Sequence, residues 1–442
     1  MNASRGPAPH GWRSVGRALR QRNFKLFFGG QSVSLIGTWM TQVATAWLVY
    51  RLTGSAMWLG VVTAAGQIPT FLLAPVAGVW VDRWVKRRVL VGTQTLAMLQ
   101  SFALALLAFT HINLAEILGL SAFQGLINAF DMPGRQSFMV DMVGDRELLS
   151  NAIALNSSMV NLARLAGPAI AGLIIAAWGE KYCFLIDGIS YIGVIVSPLA
   201  MRNLPQRAAG AQPDAWRSLR EGWEYVSRFP PVQSLLVLTG LVGLVAIPYG
   251  VLVPIFAGQV LHGGAHTYGF LLAASGCGAL AGALWLASRK SARGLTRVVP
   301  LTAALFGAGL VGFGLSHWFW LSLALMFCIG TGMMVQLAAT NTILQTISAE
   351  EMRGRVMSYY TMAFVGMTPW GSLLVGALAS RFGAPATLVV TGVCCCASAW
   401  WFTTRLETVR AAIRPIYQRL GIIPEMAGGI QAASTLTTPP EK

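Results

Sequence analysis

Runs of about twenty apolar residues, each long enough to cross a hydrocarbon core of roughly 30 Å, recur twelve times along this sequence. They fall near 24–50, 57–81, 89–110, 114–131, 156–178 and 182–202, and again near 233–260, 267–288, 298–316, 318–345, 356–380 and 384–404. In lipid a single spanning segment satisfies its own backbone amides only as a helix. The expected fold class is therefore an all-α membrane protein with twelve transmembrane helices in two six-helix pseudo-repeats. Composition agrees, because 11% of the 442 residues are charged, where soluble domains carry about a quarter.

The long polar stretch 203–232 divides the runs six and six. This predicts a basic N-terminal segment (1–23), a six-helix bundle (24–202), a linker with an amphipathic helix (203–232), a second bundle (233–405) and a tail (406–442). The stretch Asp141 to Gly179, a charged turn followed by an apolar helix, returns 204 residues later as Gln345 to Gly383, with Gly371, Gly376 and Gly383 opposite Gly167, Gly172 and Gly179.

A net charge of +16 in a soluble chain would point to nucleic acid. Here the distribution decides otherwise. All but four of the 32 Lys and Arg residues lie in the two termini and the even-numbered loops; Arg51, Lys181, Arg381 and the intramembrane Arg164 are the exceptions. That bias is the positive-inside rule, and it predicts cytoplasmic termini, an inner-membrane location and no nucleic-acid partner. The first apolar run is too long for a signal-peptide core and is expected to be retained. The six cysteines, including the consecutive Cys394, Cys395 and Cys396, lack metal or disulfide spacing and read as small apolar residues. In residues 1–23, Trp12, Val15 and Leu19 share a helical face beside five arginines. The segment either lies on the inner leaflet or stays a disordered basic tail.

Polar stripes mark two spans. In the first, Gln31, Ser34, Thr38, Thr41, Gln42 and Thr45 fall within a sector of about 100°, which fits a cavity wall or hydrogen-bonded packing between helices. In the fourth, Ser121, Gln124, Asn128 and Asp131 follow at helical spacing.

Between the second and third spans stands Gly78-Val-Trp-Val-Asp82-Arg83-Trp-Val-Lys86-Arg87-Arg88. It resembles the G-x-x-x-D-R-x-G-R-[RK] signature of the major facilitator superfamily of secondary transporters, with Val85 where glycine is usual. The resemblance implies an inner latch between the halves made by Gly78, Asp82, Arg83, Arg87 and Arg88, joined by Asp131 and by the start of the eleventh helix near Arg353 and Arg355. Gly282 to Lys290, the matching loop of the second half, has no aspartate, so the latch is expected to be one-sided. Gln124-Gly125 matches the end of a further family motif, R-x-x-Q-G, with Ser121 replacing its arginine.

In the fifth span, Gly167-Pro168 with Gly172 resembles the G-P-x-x-G element of exporters and antiporters of the superfamily, which implies a helix-five bend. Pro168 removes the amide that would bond the Arg164 carbonyl. An arginine at the membrane centre costs about 2.5–3.5 kcal/mol on insertion scales, so Arg164 is expected to face the interior with a partner. A rise of about 1.5 Å per residue puts Asp131 nearer to it in depth than Asp187, with Asn128 and Asn161 also near. Asp131 is therefore the expected partner, and Asp187 titrates or pairs separately.

The seam carries WRSLREGWEYVSRFPP, in which Trp216, Leu219, Trp223 and Val226 share one face, as in an interfacial helix. This pattern, RNFKLFFGGQSVSLIGTW and VGDRELLSNAIALNSSM resemble the branch that includes the enterobactin exporter and macrolide efflux pumps. The likeness covers roughly residues 20–405. It implies proton-coupled export of a small amphipathic compound by alternating access, through a cavity lined by Gln31, Thr38, Gln42, Gln124, Asn128 and Asn161, in a monomer that uses no cofactor. Uptake, lipid movement and a non-transporting scaffold remain alternatives. Pro248, Tyr249 and Pro254 are expected to bend the seventh span. His262 and His266 sit in a glycine-containing turn that does not read as a metal site. No phosphate-binding loop and no clustered His, Asp or Cys groups for an enzyme are present.

Overall fold

The computed structural model describes residues 17–143, 146–201, 215–289, 291–420 and 422. Trp12, Val15, all of the 202–214 stretch that leads into the linker, and the final TLTTPPEK lie outside them.

The described chain is a bundle of helices, α1 (Arg22–Thr53), α2 (Ala56–Arg83), α3 (Lys86–Phe109), α4 (Leu114–Val143), α5 (Arg146–Trp178) and α6 (Glu180–Ala200), followed by the short α7 (Ala215–Arg228). The second half comprises α8 (Pro230–Val260), α9 (Ala265–Ala287), α10 (Leu295–Leu315), α11 (Phe319–Ile347), α12 (Glu350–Phe382) and α13 (Ala384–Arg419). Among the described residues, ten of these helices are long and apolar enough to cross a bilayer. Those that fall short of the twelve expected are α1 and α4, because the polar stripes read from the sequence dilute their apolar character.

Short turns make the helices antiparallel, so the bundle has a linker end, carrying α7 and the α2–α3 loop, and a far end, carrying the α1–α2 and α5–α6 turns. Neighbours repeat by a two-fold rule. The pairs α1/α6, α2/α4 and α3/α6 of the first half recur as α8/α13, α9/α11 and α10/α13, and the halves meet through α5/α9 and α2/α12. These junctions close on glycine. A side-chain carbon on Gly172 would lie 2.9 Å from the Ala265 carbonyl oxygen and 3.0 Å from the Gly269 Cα, and one on Gly376 would lie 2.8 Å from the Ala56 carbonyl oxygen and 3.3 Å from the Gly60 Cα. Small residues let helices approach closely where lipid supplies no hydrophobic drive.

The repeat reaches beyond the spans. A 3₁₀ turn, Arg17–Arg20, docks on the start of α5, where the Ala18 amide donates to Asn151 Oδ1 at 3.0 Å. In the second half α7 docks on the start of α12, with Arg355 paired to Glu221 at 2.6 Å and the Tyr359 hydroxyl donating to the Leu219 carbonyl at 2.9 Å. Ala18 and Gly222, like Asn151 and Arg355, stand 204 residues apart, and Gly222 lies against the Arg355 side chain.

Prolines break two helices. In α8, a 3₁₀ segment occupies Ile247–Val251 around Pro248, and a π turn at Phe256–Val260 follows Pro254. In α12, a π turn at Met362–Gly366 precedes Pro369. A missing amide donor at each proline accounts for the changed bonding. The last helix outruns its expected end. Helix α13 continues through the start of the expected 406–442 tail to Arg419, because Val409, Ile413 and Tyr417, spaced by four, are buried and Arg410 Nε bonds Thr296 Oγ1 of α10 at 3.4 Å.

One large apolar cluster spans both halves, whereas the linker end of the first half has its own small one, containing Phe24, Leu90, Phe138 and Ala152.

Candidate functional site

Arg164 stands at the middle of the apolar stretch Asn151–Trp178. Helix α5 stays α-helical through Pro168, and the Arg164 carbonyl that the proline leaves without a donor faces Gly276 of α9, 3.2 Å from where a side-chain carbon would sit. On the other side Gly167 admits α1, whose Trp39 Cβ and Ile36 carbonyl come against it. The three residues expected to shape a bend thus act at contacts: Gly167 on α1, Gly172 on α9, and Pro168 through its carbonyl on Gly269.

The guanidinium lies 5.8 Å from the centre of the Trp39 ring, with Nη2 3.9 Å from the Met333 sulfur. Met333 is the midpoint of α11. Arg164 therefore touches one helix of each half at mid-depth.

Asp131 is not its partner. The carboxylate is 2% exposed and accepts from Thr93 Oγ1 at 3.0 Å and Gln94 Nε2 at 2.6 Å, both on α3. Its ion-pair partner is Arg135, one turn along the same helix. The depth comparison matched heights but not azimuths. Asp131 faces α3 inside the first half, and the i,i+4 spacing to Arg135 was the readable signal.

Asp187 is separate from Arg164, as expected. It is 1% exposed; Thr41 Oγ1 of α1 donates to Oδ2 at 2.8 Å, and Ser101 Oγ of α3 donates to the same oxygen at 2.9 Å. The other oxygen, Oδ1, has no partner, and among the described residues no cation pairs with this acid. One carboxylate thus ties α1, α3 and α6 together.

The first-helix stripe divides. Thr41 is spent on packing against α6, Gln31 and Ser34 are buried, and Thr38 Oγ1 bonds the Ser34 carbonyl at 3.0 Å, while Gln42 is open. Gln124 Nε2 donates to Asn128 Oδ1 at 3.1 Å, and Asn161 Nδ2 donates to the Ser157 carbonyl at 2.9 Å. These three amides bond within their own helices.

At the signature loop, Val85 adopts φ −69°, ψ 102°, a region open to any L-residue, so the turn does not need the usual glycine. Gly78 has no atom within 4 Å of where a side-chain carbon would stand; the close α2 contact with the other half comes at Gly60 instead. Arg87 Nη2 donates to the Leu199 carbonyl at 2.6 Å, capping the end of α6. Arg83 and Arg88 border a cavity of about 710 Å³ whose walls include Trp84, Phe123 and Phe130, and the Trp84 and Phe130 rings stack at 6.4 Å. The Asp82 side chain lies outside the described residues. Of the expected latch partners on α12, Arg355 is held by Glu221 of α7 and Arg353 is exposed. Sequence reasoning missed Glu221 as a partner because it places the two residues 134 positions apart.

Among the described residues, contacts between the halves run from about the depth of Arg164 toward the far end. They include the glycine junctions, the Gly276–Leu165 and Gly366–Phe71 approaches, and Trp47 stacked on Tyr268 at 6.0 Å. The bundle is closed at the far end.

Comparison with known proteins places this geometry. The family model described as "Transmembrane secretion effector" matches residues 14–416. The staphyloferrin A transporter of Staphylococcus aureus (strain NCTC 8325 / PS 47) is 26% identical over 393 residues, covering 86% of this chain and 96% of that protein. Macrolide efflux protein A of Streptococcus pyogenes is 23% identical, covering 84% and 94%, and the multidrug efflux pump Tap of Mycolicibacterium fortuitum is 28% identical, covering 80% and 88%. Among solved structures, a bacterial homologue of the human lysosomal transporter Spinster in an inward-facing, unoccupied conformation gives a TM-score of 0.69 at 13% identity, over 92% of this chain and 99% of that one. A D-xylose–proton symporter gives 0.66 at 13% identity, over 89% and 97%. At that identity the likeness concerns the fold.

Proposed function

The chain belongs to the transmembrane secretion effector family of the major facilitator superfamily, a multi-pass transporter rather than an enzyme, and from that premise we propose that it exports a small amphipathic compound from the cytoplasm by alternating access. One observation carries the reading. The two pseudo-repeats meet through glycine junctions at the far end, while an arginine reaches both halves at mid-depth. With the linker end cytoplasmic, a placement that the distribution of basic residues supports, this is the state that loads from inside. Rocking about the α2/α12 and α5/α9 junctions would open the far end, as in transporters built from two repeats. Relatives named for staphyloferrin A transport, macrolide efflux and multidrug efflux support a small-molecule cargo.

We further propose that proton entry drives export and that the protein works as a monomer in the inner membrane with both termini cytoplasmic. Of the acids described inside the bundle, Asp131 is neutralised by Arg135. Asp187 has only hydroxyl donors, so it is the group available to take up a proton. Arg83, Arg87, Arg88 and Asp82 are proposed to lock the linker end in the opposite state, with Gly78 giving the room to do so. Gln42, Thr38, Gln31, Gln124, Asn128 and Asn161 are proposed to line the path.

The test is untargeted mass spectrometry of cells and medium from an efflux-deficient host expressing the protein or no transporter. A compound enriched outside only with the protein is the expected result. Its disappearance when the pH gradient is collapsed, and in Asp187→Asn at equal abundance, would establish the proton step. Protein-dependent enrichment inside the cells would reverse the direction, and no difference in any compound would defeat the transport assignment to this cargo class.

A further inference from the structure

We infer that Arg164 is the docking point for an acidic group on the cargo, so that the exported compound is an amphiphile bearing a carboxylate or a similarly compact anion; the inference rests on the export reading above. The acids described within the bundle are engaged elsewhere. Asp131 binds Arg135, Thr93 and Gln94, Asp187 binds Thr41 and Ser101, and Glu180, at the far end, pairs with Arg51 at 3.1 Å. Among the described residues Arg164 has no carboxylate partner. Its neighbours are the face of an indole and a thioether, a setting that holds a cation in place without neutralising it.

A guanidinium is a planar fork of five donors that matches a carboxylate through two parallel hydrogen bonds, and it stays charged at any physiological pH. In a site of low dielectric, the anion that completes this pair gains more than it would in water. Trp39 and Met333 then offer an apolar platform beside the charge, which suits a molecule with an acidic head and an apolar body. Placement adds the link to transport. Trp39 belongs to the first half and Met333 to the second, so an anion bound at Arg164 would sit where it senses both halves. The second half supplies no matching cation, because the position 204 residues on is Thr368, whose hydroxyl bonds the Phe364 carbonyl of its own helix at 2.9 Å. The site reads one acidic group and repels an ammonium.

The probes are dansyl-labelled mono-, di- and tricarboxylic acids and their N-methylamides, titrated into the full-length protein in phosphatidylethanolamine–phosphatidylglycerol nanodiscs, with energy transfer from tryptophan as the readout. At least one acid is expected to bind about tenfold or more tightly than its amide, the usual scale for a hydrogen-bonded charge pair. Arg164→Gln should bring that acid down to the level of its amide, and Arg164→Lys should retain part of the preference. Thermal unfolding of each variant shows whether it is folded. Equal binding of acids and amides by the wild type, no saturable binding of any acid, or an acid preference that survives in folded Arg164→Gln would overturn the inference. The export reading fails separately. Protein-dependent efflux from cells of a neutral compound alone would leave export standing and remove the acidic cargo, whereas acid binding without any protein-dependent efflux would leave the site and remove export.

Discussion

The two halves share a scaffold and differ in chemistry. Helices α5 and α12 each pack a glycine, Gly172 or Gly376, against the second helix of the opposite half, and each receives a docking segment at its start, at Asn151 or Arg355. Yet α5 carries a mid-membrane arginine and runs unbroken past its proline, whereas α12 has Thr368 at the matching place and a π turn just before Pro369. The buried acids follow the same bias. Asp131 and Asp187 belong to the first half, while the buried polar side chains of α11 are the neutral Ser322, Gln336 and Thr340, of which Gln336 and Thr340 find no hydrogen-bond partner among the described residues. The repeat preserves close contact surfaces between the halves and leaves Arg164 and the buried acids to the first half.

Breaking the shared part should have the largest effect. Gly172→Leu and Gly376→Leu each force a side chain into backbone already in contact, and overpacking of this kind costs about 1–3 kcal/mol. Both variants should lose most export and raise hydrogen–deuterium exchange, over 265–270 in the first case and 56–62 in the second. A loss confined to one variant would show that the junctions are not equivalent.

The charged half offers the next test. Asp187→Leu leaves the Thr41 and Ser101 hydroxyls without their acceptor inside the bundle, at a cost of about 1–3 kcal/mol, whereas Asp187→Asn keeps an acceptor for both. Thermal unfolding of the purified protein should rank the leucine variant well below the asparagine one. Equal melting would mean that the α1–α3–α6 tie contributes nothing to stability.

A double-mutant cycle on stability separates the observed pairing from the one that depth alone suggests. Asp131→Asn with Arg135→Gln should depart from additivity by about 0.5–3 kcal/mol, while Asp131→Asn with Arg164→Gln should add to within about 0.5 kcal/mol. The reverse order would restore a direct link between Asp131 and Arg164.

The smallest expected effect lies at the docking segments. Glu221→Gln removes one partly exposed ion pair, worth about 0.2–1 kcal/mol, and should speed exchange in 215–228. Asn151→Ala should do the same for 17–20. A response in one half alone would limit the two-fold rule to the spans.

Much of this was readable because membranes impose simple rules. Run lengths mark the spans, the bias of Lys and Arg suggests an orientation, and one of the glycine pairs 204 residues apart, Gly172 and Gly376, marks surfaces that prove to be junctions between halves. The stripes on α1 and α4 were legible as stripes, but their use was not. Thr41 bonds an acid on α6, and Gln124 and Asn128 bond each other, which follows from how the helices are rotated. The same holds for Asp131, readable in height but not in direction, and for Arg355, whose partner Glu221 arrives with α7.

By itself the sequence determined that this chain is a helical membrane protein built twice, since length, apolarity and repeat are properties of each segment taken alone and lipid leaves a backbone few choices. Which charges pair was decided only by tertiary structure, because partners are chosen by the azimuth of each helix and by contacts across the two halves. Arg164, held by an indole from one half and a thioether from the other, is where those two kinds of information meet.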